Sequence, residues 1–307
     1  MPNQTTGSAA TSIAREYIAT EHLKTAAWEN HILTFPIENP SHSLLANSLY
    51  FGHPEWARNY LAVVHRDREF QDRWFAVTGT WKNKIVVDIG CAPGNVYAAL
   101  RDRVGQPRVL LGVDVSQGGL KIAQELGYTP ILADAQNLPL KSGFADLVVV
   151  NAALHHCDDM AKMLAEAARL VRPGGMLVTD QDLQKTMWRD NWIAHAIWKL
   201  RLPVYRLLKR GGHATAEEQY WCQATEAHHL PGDGVNEAFF QEILEPLGFS
   251  VKVYPHNVRV GATMLQGDRG KKAWNLRLAQ WLSGRDPDSI EGALVMMCVA
   301  RRGQSIR

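Results

Sequence analysis

Acidic residues and a glycine-rich turn follow short apolar runs of the sequence, in positions where they could bind a nucleoside. Asp88, Asp114 and Asp134 each stand at the end of such a run, and the turn Gly90-Cys91-Ala92-Pro93-Gly94 follows the first of them. Glycine lets a ligand approach the backbone closely, and the unpaired N–H groups that begin the next helix face that ligand. An acid about 20 residues beyond such a turn suits the two hydroxyls of a ribose. Each acid alone could instead be a helix cap or a solvated strand end, but the ordered series favours a binding site.

Two adjacent histidines form a second group that could do chemistry. His155 and His156 follow the apolar run 146–151, and a histidine with a pKa near ~6.5 is a suitable general base. They could also be ordinary polar loop residues. A metal site made with Cys157 and Asp158 is disfavoured, because adjacent residues rarely face one ion, and we expect no metal. A second pair, His228 and His229, precedes a Leu-Pro-Gly turn.

The central part of the chain alternates between apolar runs and helical segments, which predicts a parallel sheet covered on both faces. The expected strands are 84–89, 109–114, 130–133, 146–151 and 176–180. The expected helices are 95–102, 117–126 and 159–171, with Ser116 as N-cap of the second and Gly127 as its end. In such sheets ligands bind at the carboxyl ends of the strands, where the residues above are expected to meet.

The rest of the chain divides into flanking segments. We expect helices over 11–33 and 54–79 joined by an irregular segment, a helix over 237–247, and strands over 249–254 and 293–300. An apolar stripe in 54–79 either only packs on the core or also covers a binding cleft. Its residues are Trp56, Tyr60, Val63, Phe70 and Trp74. The predicted regions are an N-terminal helical lid (1–82), a ligand-binding core (83–182), a helical cap insertion (183–232), and a C-terminal part of the core (233–307) with a second excursion at 255–290.

Composition sets broad limits on the function. The chain has 307 residues, 46% hydrophobic residues and a net charge of +2, which gives no reason to expect nucleic acid as a partner. The four cysteines form no Cys-x-x-Cys pair, and no secretory or membrane-spanning segment is visible. We therefore expect a cytoplasmic protein. A homo-oligomer is compatible with the sequence.

Over residues 84–182 the sequence resembles the class I S-adenosylmethionine-dependent methyltransferases, particularly the small-molecule branch that includes ubiquinone and menaquinone methyltransferases. The matching segments are Val87-Asp88-Ile89-Gly90-Cys91-Ala92-Pro93-Gly94, Gly112-Val113-Asp114-Val115-Ser116, Ala133-Asp134-Ala135, Phe144-Ala145-Asp146-Leu147-Val148 and Leu170-Val171-Arg172-Pro173-Gly174-Gly175. Ala92 departs from the family, where a glycine is common. A nicotinamide-binding domain would lack the acid of the third strand and the Pro-Gly-Gly turn.

The resemblance implies S-adenosylmethionine as cofactor and S-adenosylhomocysteine as product. Gly90, Cys91, Ala92 and Gly94 would surround the methionyl part, and Asp88 would hold the loop and favour the ammonium group. Asp114, next to Val115, would accept from the ribose hydroxyls. Asp134 and Ala135 would contact adenine, and Asn151, Ala152 and Ala153 would form the floor. His155 and His156 would face the acceptor, and His228 and His229 stand in a loop that often lies at the edge of the acceptor pocket in this family. Tyr17, His22 and Trp188 are further candidates for contact with the acceptor, in segments where the resemblance gives no residue-by-residue guide.

The basic, tryptophan-rich stretch 188–210 has three interpretations. It could cap an apolar acceptor, which we favour, lie on a membrane surface, or contact RNA.

The sequence thus predicts an α/β fold: a doubly wound, mostly parallel, seven-stranded Rossmann-like sheet with an N-terminal helical lid and an inserted helical cap. The predicted function is methyl transfer to a small or medium-sized, apolar or aromatic metabolite, in secondary metabolism or quinone-like biosynthesis. The alternatives are an RNA or protein methyltransferase and, in a different class, a non-catalytic cofactor-binding regulatory protein.

Overall fold

The structure is a computed structural model that describes residues 15–304. Within this range nine strands form one sheet, which is packed between helices. The strands are β1 (Ala27–Glu29), β2 (Ile32–Thr34), β3 (Ile85–Ile89), β4 (Val109–Asp114), β5 (Thr129–Leu132), β6 (Ala145–Asn151), β7 (Val171–Leu183), β8 (Phe249–His256) and β9 (Val295–Arg302). Their order is β1-β2-β5-β4-β3-β6-β7-β9-β8. The strands from β2 to β7 are parallel, whereas β1 and β9 pair antiparallel with their neighbours. This confirms the predicted mostly parallel, doubly wound sheet.

Helices cover both faces of the sheet because the inner strands are apolar on both sides. The helices are α1 (His42–Gly52), α2 (Pro54–Val63), α3 (Arg68–Thr78), α4 (Asn95–Val104), α5 (Gln117–Glu125), α6 (Met160–Leu170), α7 (Trp192–Leu207), α8 (Ala216–Thr225), α9 (Glu237–Leu244) and α10 (Trp274–Leu282). Alternate residues of β3 point into two different cores. Val87 packs on the side of α6 and α9, and Val86 packs on the side of α3, α4 and α5.

The predicted count of seven strands was wrong because a hairpin extends the sheet. Residues 27–34 form β1 and β2, where a continuous helix over 11–33 was expected. Asn30 and His31 both have positive φ, as in the tight turns that match strand twist. β2 then pairs in parallel with β5. The first residues of the predicted helix lie outside the described range.

The N-terminal lid also differs from its prediction. The segment expected to be irregular contains α1, whose N-cap Ser41 accepts a hydrogen bond from the Leu44 amide. The helix expected over 54–79 is two helices, because His65 has a positive φ of 62°. Asp67 begins the second of them by accepting from the Phe70 amide at 2.8 Å.

After β7 the chain forms the helices α7 and α8, which we call the cap. The second excursion contains a short 3₁₀ turn (Ala262–Gln266) and α10. Among residues 15–304 the structure contains no helix that is both long and apolar enough to span a bilayer.

Candidate functional site

A cavity open to solvent, with about 700 Å³ of empty space including its mouth, lies where the carboxyl ends of β3, β4, β5 and β6 meet. This is the point at which the strand order reverses, between β3 and β6. The predicted residues that line the cavity are Gly90, Ala92, Asp114, Val115, Asp134, Ala135, Asn151, Ala152, Ala153 and His156. The structure thus brings most of the sequence-predicted set into one cavity.

The glycine turn follows β3 and folds across the end of β4. The amides of Gly90 and Cys91 both donate to the carbonyl oxygen of Val113, at 2.8 and 3.2 Å. Gly90 has a φ of 68°, and a Cβ there would lie 2.6 Å from the Cβ of Ala153 on the cavity floor. Only glycine therefore fits this position without displacing the floor. Ala92 adopts a φ of 45°, a strained value for alanine that the surrounding structure imposes.

Asp114 joins the glycine turn to the next helix. Its Oδ2 accepts from the Ala92 amide and its Oδ1 from the Ser116 amide, both at 2.8 Å. Ser116 is the N-cap of α5, as predicted. Burial raises the pKa of Asp114 to about 6, although these amide hydrogen bonds oppose the shift. Each oxygen keeps a second lone pair, so the carboxylate can still accept from a vicinal diol.

Asp88, Cys91 and Gly94 do not line the cavity. Asp88 is buried under the turn, where its Oδ2 accepts from the Tyr128 hydroxyl at 2.6 Å and its Oδ1 has no partner. Burial raises the pKa of Asp88 to about 7. Gly94 is the N-cap of α4 and packs against Tyr128. The buried position of Asp88 under the turn agrees with the expected role in holding the loop, but its side chain does not reach the cavity in which a cofactor ammonium group would lie.

Asp134 and Ala135 lie at the end of β5 and line the cavity. The Gln136 amide donates to Asp134 Oδ1 at 2.9 Å, which fixes the carboxylate in a local turn. Such a carboxylate can accept from an exocyclic amino group such as that of adenine.

Asn151 forms the cavity floor at the end of β6. Its Nδ2 lies 2.8 Å from Nε2 of His65, and its buried Oδ1 has no partner within the protein. Burial lowers the pKa of His65 to about 4, so the neutral ring accepts from the amide. An orphaned acceptor in this cavity fits a ligand that carries a donor, such as the ammonium group of S-adenosylmethionine. His65 was not predicted as a site residue.

The two predicted catalytic histidines have different environments. Nδ1 of His155 lies 2.8 Å from Asp182 Oδ1, whereas Nδ1 of His156 lies 2.8 Å from the Thr225 carbonyl oxygen. Burial alone would lower the pKa of His155, but Asp182 and the charge of Glu226 outweigh it and raise that pKa. Burial and the neighbouring His155 lower the pKa of His156 to about 3. His156 lines the cavity, and the ring of His155 lies next to it, 4.2 Å away between centroids.

The histidines of the second pair lie beside this group rather than in the cavity wall. The ring of His229 is 5.3 Å from that of His155 and 5.2 Å from that of Trp198 in the cap. His229 also pairs with Glu226 through Nδ1. His228 instead contacts Asp233 at 3.0 Å, near the surface. His229 thus belongs to a histidine cluster under the cap, made of His155, His156 and His229, and His228 does not.

Three predicted acceptor contacts do not lie at the cavity. Tyr17 packs on Phe144, which precedes β6, at the amino ends of the strands and so at the opposite edge of the sheet. His22 lies against Phe35, outside the cavity wall. Trp188 is buried under the cap beside Trp198, again away from the wall. These residues belong to the flanking segments 11–80 and 183–232, which were expected to supply the acceptor wall, but membership of a segment does not fix which way a side chain points.

Lid residues form the remaining wall, and of these only Tyr60 belongs to the apolar stripe of 54–79 that the sequence suggested as a cover for the cleft. Leu44, Asn47 and Phe51 of α1 and Tyr60 of α2 line the cavity, which favours the interpretation that the lid covers a cleft. Phe51 and Tyr60 pack with Tyr50, Trp56 and Trp221 on Ala92. The Asn47 amide also donates to the Thr225 carbonyl oxygen, the same oxygen that binds His156. The Ser41 N-cap was the one signal in the sequence for α1.

The fold and this cavity define an α/β protein with a cavity at the topological switch point of its sheet and an aromatic lid over that cavity. Among the described residues no three histidine, cysteine or acidic side chains are grouped so as to hold a metal ion.

Comparison with known proteins gives the family. Residues 87–179 match a family model described as a methyltransferase domain. The demethylmenaquinone methyltransferase of Bacillus licheniformis is 26% identical over 190 residues, covering 60% of this chain and 80% of that protein. That of Geobacillus kaustophilus is 27% identical over 192 residues, covering 60% and 79%.

Two solved structures share the fold. The plantazolicin methyltransferase BpumL, solved with a desmethyl substrate analogue and S-adenosylhomocysteine, is 13% identical with a TM-score of 0.50, over 86% of this chain and 96% of that one. The [4+2]-cyclase SpnF is 17% identical with a TM-score of 0.51, over 87% and 97%. Since one of these proteins is named a cyclase, the fold alone does not specify the reaction.

The chain thus contains a methyltransferase domain over residues 87–179, and these findings support a class I S-adenosylmethionine-dependent methyltransferase that resembles the quinone methyltransferases.

Proposed function

We propose that this enzyme methylates a small or medium-sized, apolar or aromatic metabolite that carries an ionisable proton, such as a hydroxylated, quinone-like ring. The observation that carries the proposal is the pairing of an aromatic wall, Phe51 and Tyr60, with a histidine–carboxylate pair beside the cavity. An apolar wall favours a flat apolar acceptor, because a charged or strongly polar acceptor would find no hydrogen-bond partners on that wall. The names of the relatives, demethylmenaquinone methyltransferases, support a quinone-like acceptor.

The cofactor half of the cavity has groups that suit the ribose, adenine and ammonium parts of S-adenosylmethionine. We assign Asp114 to the ribose hydroxyls, Asp134 and Ala135 to adenine, and the unpaired Oδ1 of Asn151 to the ammonium group. When bound, the cofactor supplies a methyl group on a sulfonium, which is already an activated electrophile. The protein therefore needs no covalent intermediate. It has to orient the acceptor, exclude water and remove a proton.

We assign proton removal to His155, held by Asp182. The carboxylate accepts from Nδ1–H of His155, which leaves Nε2 with a free lone pair for the proton of the acceptor. The raised pKa of His155 makes it the stronger base of the adjacent pair. His156 stays neutral because its pKa is lowered to about 3, and its role is that of a wall residue.

The lid and cap supply the exclusion of water. Ser43 Oγ of α1 donates to the His156 carbonyl oxygen at 3.0 Å, and Asn47 donates to Thr225 at the end of α8. These hydrogen bonds join the lid, the cap and the histidine loop over one side of the cavity. A cavity closed in this way strengthens the electrostatic interactions inside it.

A transfer assay tests the proposal. The protein is incubated with methyl-labelled S-adenosylmethionine and, in separate reactions, 1,4-dihydroxynaphthalene, total RNA and a mixture of proteins. We expect label in the aromatic probe and none in the polymers, and we expect Asp114→Ala to abolish it while the exposed Asp102→Ala keeps it. Label in RNA or protein, with none in the aromatic probe, would establish the alternative macromolecular function instead.

A further inference from the structure

The outer faces of α7 and α10 carry large apolar side chains that nothing in the described chain covers. On α10, Trp274 is 77% exposed and Trp281 is 67% exposed, and Leu278 and Leu282 lie between and beside them. On α7, Trp192 is 78% exposed and Leu207 is 83% exposed. Large exposed aromatic side chains grouped in this way are uncommon on a soluble protein and mark an interaction surface.

Helical spacing places these side chains on one face of each helix. At 100° per residue, Trp274, Leu278, Trp281 and Leu282 fall within one third of the circumference of α10. Residues on the opposite side of that helix, such as Leu276 and Gln280, pack inward. On α7, the exposed residues Trp192, Leu200 and Leu207 share one face, opposite the inward residues Ala194 and Trp198.

The helices α7 and α10 contact each other through hydrogen bonds at their ends and through a shared apolar cluster. Asn191, the N-cap of α7, donates through Nδ2 to the Ser283 carbonyl oxygen after α10, at 2.8 Å. Arg189 donates to the next carbonyl oxygen, that of Gly284. Leu276 and Ala279 of α10 pack in the same apolar cluster as the inner face of α7. We call the exposed residues Trp192, Leu200, Leu207, Trp274, Leu278, Trp281 and Leu282 the outer tryptophan surface.

Basic residues accompany this surface. Residues 185–210 contain seven lysines and arginines and one acidic residue. Residues 268–288 contain five lysines and arginines and three acidic residues. The whole chain has a net charge of only +2, so positive charge is concentrated in these two segments. Lys199, Arg206 and Lys271 are exposed and have no acidic partner within 4 Å in the described chain. Tryptophan and leucine beside lysine and arginine are the composition of helices that lie at a membrane surface.

We propose that the outer tryptophan surface docks on the anionic face of a phospholipid bilayer, with α7 and α10 parallel to it. A second copy of the chain is a less suitable occupant, because a two-fold contact would bring the same basic residues against one another. RNA is also less suitable, because exposed leucines between the tryptophans offer it neither stacking nor charge. This inference goes beyond the proposed function and does not depend on the identity of the acceptor.

The inner face of α7 lies next to the histidine cluster. Trp198, on the inner face of α7, lies 5.2 Å from His229 of the histidine cluster. Docking through the outer face would therefore hold the cap of the site at the bilayer, where apolar acceptors are dissolved.

Vesicle co-sedimentation tests the proposal with the full chain. We expect the wild type to sediment with vesicles of phosphatidylcholine and phosphatidylglycerol far more than with phosphatidylcholine alone. The variant Trp192→Ser/Trp274→Ser/Trp281→Ser should lose at least tenfold in vesicle affinity. Lys199→Gln/Arg206→Gln/Lys271→Gln should lose the preference for the anionic lipid. The control Val63→Ser/Leu247→Ser removes exposed apolar residues elsewhere and should bind like the wild type.

Unchanged S-adenosylmethionine affinity and thermal midpoint would establish that each variant is folded. The proposal is overturned if the wild type does not sediment with anionic vesicles, or if the tryptophan variant binds them as the wild type does. It is also overturned if the wild type is a dimer in solution that the tryptophan variant turns into a monomer without any vesicle binding. Loss of methyl transfer in the assay above with intact vesicle binding would affect only the proposed function.

Discussion

Asp88 and Asp114 are carboxylic acids at the ends of adjacent strands, and their partners give them different tasks. Asp114 accepts from two backbone amides and lines the cavity. Asp88 has a single partner, Tyr128, and is 1% exposed. Burial raises both pKa values, but only Asp114 keeps access to a ligand. Asp88 is therefore buried under the glycine turn at a cost to stability, whereas Asp114 is the acid that we assign to the cofactor.

Replacing Asp88 with asparagine should stabilise the protein in a pH-dependent way. An acid whose pKa is raised on folding from 3.8 to about 7 opposes folding increasingly as pH rises through that window, because the unfolded state loses the proton first. The variant should therefore gain stability relative to the wild type between about pH 4 and pH 8, by at most about 4 kcal/mol. Urea unfolding at both pH values measures it. Asp102→Asn, at an exposed site, is the control, and a constant difference across the range would contradict the account.

Affinity for S-adenosylmethionine should fall on the acid side of neutrality. The carboxylate form of Asp114 accepts from ribose hydroxyls, and its pKa is raised to about 6. Binding should accordingly be about tenfold weaker at pH 5 than at pH 7. Isothermal titration calorimetry measures this, and Asp114→Asn should bind weakly and without that pH dependence. If this variant keeps the wild-type affinity, the assignment of Asp114 to the ribose fails.

The pH dependence of the methyl-transfer rate should follow the protonation of His155, which Asp182 holds. Because the neutral ring is the base and its pKa is raised, the rate should drop as pH falls through a midpoint above the ordinary histidine value of ~6.5. Asp182→Asn should move that midpoint to lower pH, and His155→Ala should cost about 10²–10⁴-fold in rate. His156→Ala serves as the matched control, with a smaller loss. Full turnover of the His155→Ala/His156→Ala variant at every pH would refute the base assignment.

Motif residues could be predicted from the sequence because local order fixes them. Asp114 and Ser116 are two residues apart at a strand end, so their shared role follows from the chain itself. His65 and Asn151 are 86 residues apart, and no local pattern indicates their contact. Asp182 was likewise missed as a partner of His155, since the acid stands on a different strand.

At the scale of elements, a buried ion pair attaches α3 to the core. Arg73 Nε lies 2.9 Å from Asp180 Oδ2, and both side chains are fully buried. Burial alone would raise the pKa of Asp180, but Arg73 and His256 hold it well below its ordinary range. The Asp180 carbonyl oxygen accepts from the Ala152 amide at the cavity floor. This pair therefore links the lid to the floor of the site.

Arg73→Met should destabilise the fold by about 3–5 kcal/mol, because it leaves Asp180 buried without its main counter-charge. Chemical unfolding at neutral pH measures the loss. Arg68→Met, which changes the exposed first residue of the same helix, should cost less than about 1 kcal/mol. Adding Asp180→Asn to Arg73→Met should recover part of the stability. Equal effects of the two single variants would show that the pair does not anchor α3.

Elements with strong local patterns were predictable and those that depend on weak turn signals were not. The core strands are short apolar runs that lie within about five residues of their predicted bounds. The largest difference is β7, which begins at Val171 and includes the Pro173-Gly174-Gly175 segment expected to be a turn. The β1–β2 hairpin turns at Asn30-His31 without the glycine that usually marks such a turn. The break between α2 and α3 at His65 has neither glycine nor proline to announce it.

At the scale of the whole molecule, the cavity is closed by parts of the chain that are far apart in sequence. α1 and α2 of the lid, α8 of the cap and the glycine turn meet around Ala92. The core could be predicted because the methyl donor is bound by local motifs. The acceptor side could not, because its wall depends on how lid and cap pack on each other, which is a matter of tertiary contact. This is why the cofactor was predicted in detail and the acceptor only by class.

The most direct test of the account is the fate of the methyl label in a cell extract from which small molecules and polymers are then separated. The account predicts that the labelled product is a small, organic-soluble, aromatic compound, formed by the wild type and not by Asp114→Ala. Label that partitions with RNA or protein, or equal labelling by the Asp114→Ala variant, would contradict it.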